Sequence, residues 1–229
     1  MKKEYIRAPI VCVLGHVDHG KTTLLDAIRK TSVAAREAGG ITQSIGASVV
    51  ALPAQAGTKG GPITFIDTPG HAAFSKMRSQ GAKVADIAVL VVDASGGVKP
   101  QTLEALQIIR EAQIPFIVCV TKMDLPSASL EAVQGQLEKE GVSFEGRGGD
   151  VPLVSVSAKK GIGVNELLET IILVSEVKGV EGSPEANLEA VVIETSQSKG
   201  GPLVSVIVRC GTLKVGEEVF CEDKTTKVK

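Results

Sequence analysis

The sequence predicts an α/β fold with a mostly parallel, doubly wound sheet, followed by a shorter all-β segment. Two observations support this prediction. Short apolar runs alternate with segments of helical periodicity as far as about residue 177, which is typical of a parallel sheet covered by helices. From residue 188 the chain instead shows β-rich runs separated by glycine turns, without a helical pattern.

The elements of the α/β part can be assigned in chain order. The short connection between its second and third strands predicts an antiparallel pair, and the nearly continuous apolar runs after it predict strands buried on both faces. The predicted strands are 10–14, 48–52, 63–66, 87–92, 115–120 and 151–156. The predicted helices are 22–29, 72–84, 101–112 and 164–174.

One of these helices is basic. The helix 72–84 carries Lys76, Arg78 and Lys83. We interpret these residues as a solvated basic face. The functional alternative is a surface that meets RNA phosphates.

The changes of pattern predict three parts of the chain. Residues 1–177 form the α/β domain, 178–187 form a linker with Gly, Ser and Pro, and 188–229 form the first part of a β-barrel domain. The last part has too few strands to close a barrel, and an unclosed sheet leaves exposed edges. We therefore expect the barrel to be truncated and the chain to be a fragment of a longer protein.

Composition excludes several classes of protein. The formal net charge of −1 argues against a polybasic chain that binds nucleic acid over its whole surface, although a local basic patch stays open. The four cysteines show no C-x-x-C spacing, so we expect reduced thiols in a cytosol-like compartment. No apolar run approaches the length of a membrane span, and the N-terminus lacks the apolar region of a signal peptide.

A phosphate-binding motif lies between the first predicted strand and the first predicted helix. Residues 15–22 read Gly-His-Val-Asp-His-Gly-Lys-Thr and fit the pattern G-x-x-x-x-G-K-[ST]. Its glycines let backbone N–H groups point at phosphate oxygens, and the helix N-terminus adds a favourable field. We expect Lys21 to reach the β- and γ-phosphates and the Thr22 hydroxyl to bind Mg²⁺. A glycine-rich turn without a ligand is the alternative.

Two further segments predict contacts with Mg²⁺ and the γ-phosphate. Residues 31–48 contain Thr42, whose hydroxyl is a candidate Mg²⁺ ligand, and an ordinary flexible loop is the alternative. Asp67-Thr68-Pro69-Gly70 follows the strand 63–66 directly. An acid at such a strand end holds Mg²⁺, usually through water, and Gly70 supplies an N–H for the γ-phosphate. A D-x-x-G pattern alone is weak evidence, because it occurs often by chance. Its position after a strand and downstream of the phosphate-binding motif makes the evidence stronger.

Two motifs at the ends of later strands predict recognition of guanine. In Thr121-Lys122-Met123-Asp124, the Asp124 carboxylate can accept from both N1–H and the N2 amino group of guanine, a donor pair that adenine lacks. The stem of Lys122 can lie along the base. In Ser157-Ala158-Lys159, the Ala158 N–H is placed to donate to guanine O6.

Together these motifs resemble those of the translational GTPases, most closely the bacterial translation initiation factor two family. The resemblance implies a P-loop GTPase domain over residues 1–177, with a partial β-barrel after it. The archaeal and eukaryotic sister factor is the alternative within the family. A module that binds guanine nucleotides without efficient hydrolysis, a P-loop ATPase and a GTPase independent of the ribosome are the rivals. The matching segments are 15–22, 39–47, 65–82, 86–102, 121–124, 157–159 and 211–216.

The resemblance implies roles for individual residues. Lys21, Gly70 and His71 would serve catalysis, with His71 orienting the attacking water; a switch histidine without a chemical role is the alternative. Thr22, Thr42 and Asp67 would hold Mg²⁺. Asp18 would help to bind a monovalent cation (K⁺ or Na⁺) or would only brace the loop, and His16 and His19 are expected to be structural. The expected contacts of GTP or GDP are Val17, Asp18, His19, Gly20, Lys21, Thr22, Thr23, Thr121, Lys122, Asp124, Leu125, Ser157, Ala158 and Lys159.

The resemblance also implies partners and a compartment. The full-length factor would support initiator tRNA placement and subunit joining. The ribosome would activate its hydrolysis of GTP, with ribosomal RNA near the nucleotide site. Initiator tRNA would bind only through domains beyond residue 229. We expect a cytoplasmic monomer that does not contact membranes, with an organelle matrix as the alternative compartment.

Two positions depart from the family pattern. Thr121 stands where the family usually has Asn, so guanine binding is expected to survive but to weaken, because a hydroxyl makes fewer hydrogen bonds than an amide. Ser44 stands where bacterial members commonly have His.

Overall fold

The computed structural model describes residues 7–29, 46–52, 61–68, 74–198, 201–221 and 224–228. The chain divides into two compact units. The larger is Ala8–Gly179, and the smaller contains the chain from Val180 onward together with Arg7.

The larger unit is built around a six-stranded sheet. Its strands, in chain order, are β1 Ile10–Gly15, β2 Gly46–Leu52, β3 Gly61–Asp67, β4 Ile87–Asp93, β5 Phe116–Thr121 and β6 Leu153–Ser155. Their order in the sheet is β2-β3-β1-β4-β5-β6. The pairs β1–β3, β1–β4, β4–β5 and β5–β6 are parallel, and only the edge pair β2–β3 is antiparallel. The predicted mostly parallel sheet and its antiparallel pair are therefore confirmed.

Helices cover both faces of this sheet. They are α1 Lys21–Arg29, α2 Ser75–Val84, α3 Pro100–Ala112, α4 Leu130–Lys139 and α5 Val164–Lys178. Alternate residues of a strand point to opposite faces, and in β1 the side chains of Val11 and Val13 pack with apolar residues of α1 and α5. Cys12 points the other way, towards Gly81 of α2. The sheet is therefore doubly wound, as predicted.

Buried apolar strands account for the stability of this unit. Every residue of β1 and β4 is buried, and each fully buried Val, Leu or Ile side chain stabilises the fold by about 1.5–3 kcal/mol. The order of the parallel strands brings the ends of β1, β3, β4 and β5 to the same edge of the sheet, because parallel strands share a direction. Predicted motifs follow the ends of β1, β3 and β5, and Ser157-Ala158-Lys159 follows β6, which is parallel to β5.

Helix α4 is missing from the sequence prediction. It begins at the N-cap Ser129, whose Oγ accepts from the Ala132 N–H at 3.2 Å. Only Val133 and Leu137 of this helix are buried. Because two apolar residues one turn apart form a weak stripe, the periodicity does not reveal the helix.

The smaller unit is entirely β within the residues described. β7 Glu189–Ser198 pairs antiparallel with β8 Gly201–Cys210, and β9 Glu218–Cys221 pairs antiparallel with β10 Lys224–Lys227. These pairs are two separate two-stranded sheets. They are consistent with the predicted partial barrel. In the part of the chain that the structure describes, no helix is both long and apolar enough to cross a membrane.

Candidate nucleotide site

The loop between β1 and α1 has the backbone of a phosphate cradle. Gly15, Asp18 and Gly20 have φ values of 145°, 60° and 85°, in the region that glycine adopts most readily. A Cβ on Gly15 would lie 2.4 Å from the carbonyl oxygen of Val91. The loop therefore requires glycine at position 15, both for its conformation and for its close approach to β4.

Lys21 is buried at the mouth of this loop. Its side chain is 7% exposed, and its Nζ donates to the His16 carbonyl at 2.7 Å. Burial lowers the pKa of Lys21 to about 8, although the nearby Asp67 carboxylate opposes this shift. A buried ammonium group at the start of a helix is a strong attractor for phosphate.

Two of the residues predicted to hold Mg²⁺ carry oxygen donors and are buried. Thr22 is buried in the first turn of α1, and Asp67 is buried at the end of β3. Asp67 is in register with Val13 of the neighbouring β1. A hydroxyl and a carboxylate are donors that Mg²⁺ prefers, and phosphates and water supply its remaining ligands in nucleotide sites. The donor types of these two residues therefore fit the ion. In the part of the chain that the structure describes, no group of three or more His, Cys, Asp or Glu side chains could hold a metal ion by itself.

The two histidines of the loop lie against each other, and one of them bonds to the neighbouring strand. His19 is 3% exposed, and its Nδ1 accepts a hydrogen bond from the Asp93 N–H at 3.3 Å. Burial lowers the pKa of His19 to about 4 and also lowers the pKa of His16. The rings pack edge to face, with centroids 4.8 Å apart. His19 thus ties the loop to the end of β4.

Thr121 ties the same loop to the end of β5. Its hydroxyl oxygen lies 2.7 Å from the His19 carbonyl and 3.3 Å from the Val92 carbonyl. The side chain is almost fully buried. The last residue of β5 therefore holds the phosphate-binding loop in place.

Lys122 has an unusual backbone and a defined partner. Its φ is 59°, and its Nζ lies 2.7 Å from Asp93 Oδ2. Burial by itself would raise the pKa of Asp93, but hydrogen bonds from Lys122 and Ser95 outweigh this effect and hold the pKa far below its usual range. Asp93 is thus ionised at neutral pH and forms an ion pair with the Lys122 side chain.

The predicted base-binding residues lie together. Ser157 donates its hydroxyl to Asp124 Oδ1 at 2.7 Å, and the Met123 N–H donates to the Val156 carbonyl at 3.3 Å. The hydrogen bond from Ser157 lowers the pKa of Asp124. Ala158 follows Ser157 in a turn and is partly exposed. An ionised, oriented carboxylate next to a turn N–H is the arrangement that guanine requires.

The remaining predicted residues are distributed around this centre. Thr23, Leu125 and Lys159 are exposed, and the Leu125 N–H donates to the Lys122 carbonyl at 3.1 Å. The Val17 N–H, predicted to contact the nucleotide, donates to Gln101 Oε1 of α3 at 3.0 Å. The predictions for Thr42, Ser44, Gly70 and His71 concern positions outside the residues that the structure describes.

Sequence reasoning placed one residue wrongly and missed another. Arg78 is 1% exposed and pairs with Glu104 of α3 at 2.6 Å, so the prediction that it belongs to a solvated basic face is wrong. Lys76 and Lys83 are exposed as predicted. The missed residue is Gln101. Its hydrogen bond to Val17 spans 84 positions of the chain, so no local sequence pattern could have predicted it.

Comparisons with known proteins agree with this geometry. The family described as "Elongation factor Tu GTP binding domain" matches residues 6–176. GDP-bound aIF5B from Aeropyrum pernix is 36% identical, with a TM-score of 0.72, over 93% of this chain and 44% of that one.

Elongation factor SelB from Methanococcus maripaludis, in complex with the GTP analogue GppNHp, is 28% identical over 93% of this chain and 44% of that one, with a TM-score of 0.70. A bacterial selenocysteine-specific elongation factor, EF-Sec, is 26% identical over 99% of this chain and 38% of that one, also with a TM-score of 0.70. This chain therefore spans less than half of each of these proteins.

The family match extends over more than half of the chain. It confirms the predicted fold class and the predicted class of GTPase. The chain belongs to the elongation-factor-Tu family of GTP-binding domains, the translational GTPases.

Proposed function

We propose that this chain is the GTP-hydrolysing switch of a translation initiation factor, with a GTP-binding domain at 1–177, a linker at 178–187 and the start of a β-barrel domain at 188–229. The observation that carries the proposal is the 2.7 Å hydrogen bond between Thr121 and the His19 carbonyl. It joins the phosphate-binding loop to the strand end that precedes Asp124, so that one ligand can contact both. The initiation branch is supported by the 36% identity to aIF5B.

Hydrolysis would transfer the γ-phosphoryl group of GTP to water. Lys21 and the loop N–H groups would stabilise the charge on the phosphates in the transition state. Gly70 would donate an N–H to the γ-phosphate, and His71 would orient the attacking water. Turnover without an activator would be slow, on the order of 10⁻⁴ s⁻¹ as in unassisted small GTPases.

Metal ions would assist at two positions. Thr22, Thr42 and Asp67 would hold Mg²⁺, which neutralises phosphate charge when it is bound. Asp18, an exposed residue of the phosphate-binding loop with φ of 60°, would help to hold a monovalent cation, K⁺ or Na⁺.

Base selection would depend on Asp124. Its carboxylate, oriented by Ser157, would accept from N1–H and the N2 amino group of guanine. The Ala158 N–H would donate to O6, and Lys122, held by Asp93, would lie along the base. Adenine lacks this pair of donors, so nucleotides of adenine would bind less tightly than those of guanine.

The ribosome would be the activator of this switch. GTP would order the segments around Thr42 and Gly70, and hydrolysis would release them. Initiator tRNA would bind through parts of the full-length protein outside this chain. The protein would act as a monomer in the cytoplasm or in an organelle matrix.

The experiment measures GTP hydrolysis by the full-length protein with and without ribosomal subunits. We expect strong acceleration by ribosomes and its loss in the variant His71→Gln, with GDP affinity retained. Unchanged hydrolysis with ribosomes would favour a binding module that acts without efficient hydrolysis. Full activity without ribosomes would favour a GTPase of another class.

A further inference from the structure

Asp93 lies between the phosphate-binding loop and the predicted base-binding residues. It is the last residue of β4 and is in register with Thr121, the last residue of β5. Its N–H donates to His19 Nδ1 of the loop at 3.3 Å. Its side chain is 9% exposed and pairs with Lys122, the residue after β5. Asp93 therefore contacts both parts of the candidate site, through its backbone on one side and its carboxylate on the other.

Ser95 orients the Asp93 carboxylate independently of Lys122. The Ser95 N–H and the Ser95 hydroxyl donate to Asp93 Oδ1 at 2.8 and 2.7 Å. The other carboxylate oxygen, Oδ2, lies 2.7 Å from Lys122 Nζ. Because each oxygen has its own partner, the carboxylate has a defined orientation towards the lysine.

The backbone of Lys122 is unusual for a residue with a long side chain. Its φ of 59° lies in the left-handed region, which residues with a Cβ adopt rarely. Such a conformation persists where neighbouring groups hold it, and it is often found at functional sites. Here the Met123 N–H donates to the Val156 carbonyl at 3.3 Å, and the Leu125 N–H donates to the Lys122 carbonyl at 3.1 Å. The turn therefore sets the direction of the lysine side chain, and Asp93 sets the position of its ammonium group.

Stability of the fold is a weak explanation for this ion pair. The Lys122 side chain is 36% exposed, and ion pairs with an exposed member contribute little, because water screens them and ordering a long side chain costs entropy. A ligand that requires the methylene stem in one position must bear this cost when it binds, unless the stem is already ordered. Ordering of Lys122 by Asp93 would therefore favour a ligand more than it favours the fold.

We propose that Asp93 is a positioning residue for the base of the nucleotide, which holds the ammonium end of Lys122 so that the methylene stem is in place before the base binds. The proposal rests on the proposed function, and it adds a residue that acts on base binding without contact with the base. It requires that Asp93 act through Lys122, so that loss of the carboxylate matters only while the lysine is present.

The test is a double-mutant cycle on GDP binding by the full-length protein. Asp93→Asn keeps the shape of the side chain and removes its charge, and Lys122→Met keeps an apolar stem and removes the ammonium group. We expect Asp93→Asn to raise the Kd for GDP about fivefold to tenfold, because the lysine must then be ordered on binding. The double variant should match Lys122→Met within about twofold, the usual error of additivity. Isothermal titration calorimetry measures all four affinities.

A second measurement separates positioning of the base from damage to the loop. Inorganic pyrophosphate carries the phosphate groups but no base, and its Kd can be obtained by competition with a fluorescent GDP. In Asp93→Asn this Kd should change by less than about twofold, within the error of such comparisons. A loop disturbed through the contact with His19 would instead weaken GDP and pyrophosphate equally.

Two further variants serve as graded and matched controls. Ser95→Ala removes one of the two hydrogen bonds to Asp93 Oδ1, so its Kd for GDP should lie between those of the wild-type protein and Asp93→Asn. Glu138→Gln removes the charge of another ion pair, in which Glu138 of α4 lies 3.2 Å from Arg147. It should leave the Kd for GDP unchanged.

Three results would each overturn the proposal. These are unchanged GDP affinity in Asp93→Asn, equal losses of GDP and pyrophosphate affinity, and additive effects of Asp93→Asn and Lys122→Met. If Asp93→Asn does not fold, Ser95→Ala in the wild-type and Lys122→Met backgrounds provides the same cycle. A wild-type protein that does not bind GDP would instead contradict the proposed function.

Discussion

The hydroxyl of Thr121 donates to the backbone carbonyl of His19 across 2.7 Å. This bond joins the end of β5 to the phosphate-binding loop. A hydroxyl has a single proton, and here that proton is directed to the protein. Thr121 therefore keeps the loop in place but has no donor left for a nucleotide base, whereas an amide at this position has two.

Substitutions of Thr121 should separate these two roles. Thr121→Val leaves the buried His19 carbonyl without this donor, which costs about 1–3 kcal/mol, so both Tm and GDP affinity should fall. Thr121→Asn should keep the loop bond and tighten GDP binding by about threefold to tenfold, equivalent to one net hydrogen bond. Isothermal titration calorimetry measures both affinities.

A control for these variants is Thr170→Val, which removes the exposed hydroxyl that bonds Glu166 within α5. It should change neither GDP affinity nor Tm by more than a small amount. Equal GDP affinity in Thr121→Val and the wild-type protein would show that the loop does not depend on this hydroxyl.

Substitution of Asp124 should change the base that is selected. Asp124→Asn replaces an acceptor with an amide that can also donate, which suits the second carbonyl of xanthine better than the amino group of guanine. We expect GDP affinity to fall about a hundredfold and xanthosine diphosphate affinity to rise. Fluorescence titration with both nucleotides checks this.

Ser157→Ala offers a graded comparison, because it removes the 2.7 Å hydrogen bond that orients Asp124 and keeps the carboxylate. Its GDP affinity should fall by about threefold to tenfold, the value of one hydrogen bond. Asp124→Asn with unchanged preference for GDP would mean that another group reads the base.

Two glycine-to-alanine substitutions should have opposite effects. Gly15→Ala places a Cβ 2.4 Å from the Val91 carbonyl oxygen, so the free energy of unfolding should fall by about 3 kcal/mol or more. Gly135→Ala lies within α4, where nothing is within 4 Å of the added Cβ, and it should stabilise by about 0.5–1 kcal/mol. Urea unfolding of both variants provides the measurement, and a stable Gly15→Ala protein would contradict the described loop.

Stability should depend on pH through His19. Its pKa is lowered to about 4 in the folded protein, against about 6.5 in the unfolded chain. As the pH falls from about 6.5 towards 4, the unfolded state takes up a proton that the folded state does not, so stability falls by at most about 1.4 kcal/mol per pH unit. Stability gained from the neutral His19 is fully present above pH 6.5.

The variant His19→Asn isolates this contribution, because it keeps a side-chain acceptor and cannot titrate. Urea unfolding at pH 7 and pH 5 should show a smaller loss of stability for His19→Asn than for the wild-type protein. Identical losses would mean that other groups cause the acid sensitivity.

The sequence was sufficient for the sheet and for the motifs at its edge. Continuous apolar runs such as 87–92 identify buried strands. The phosphate-binding pattern identifies the loop, whose conformation requires Gly15 and Gly20. Contacts between distant elements were not predictable. The Thr121–His19 and Gln101–Val17 bonds span 102 and 84 positions, and nothing local in the chain signals them.

Arg78 shows why residue type alone does not predict burial. A charged residue on a helix is normally exposed, and the pattern of α2 gives no sign that Glu104, on the next helix, pairs with it. Helix α4 was missed for the opposite reason, since its apolar stripe is only Val133 and Leu137. Whether a charged side chain, or a helix face with only two apolar residues, is buried depends on how the neighbouring helices and strands pack against it.

The most direct test of the account is the binding of GDP, GTP and ATP to this chain, with and without Mg²⁺. We predict that guanine nucleotides bind about a hundredfold more tightly than ATP, a difference of roughly 2.7 kcal/mol, and that Mg²⁺ strengthens the binding of GTP. ATP binding as tight as that of GTP, or tighter, would contradict the assignment of Asp124 as the base reader and the proposed function with it.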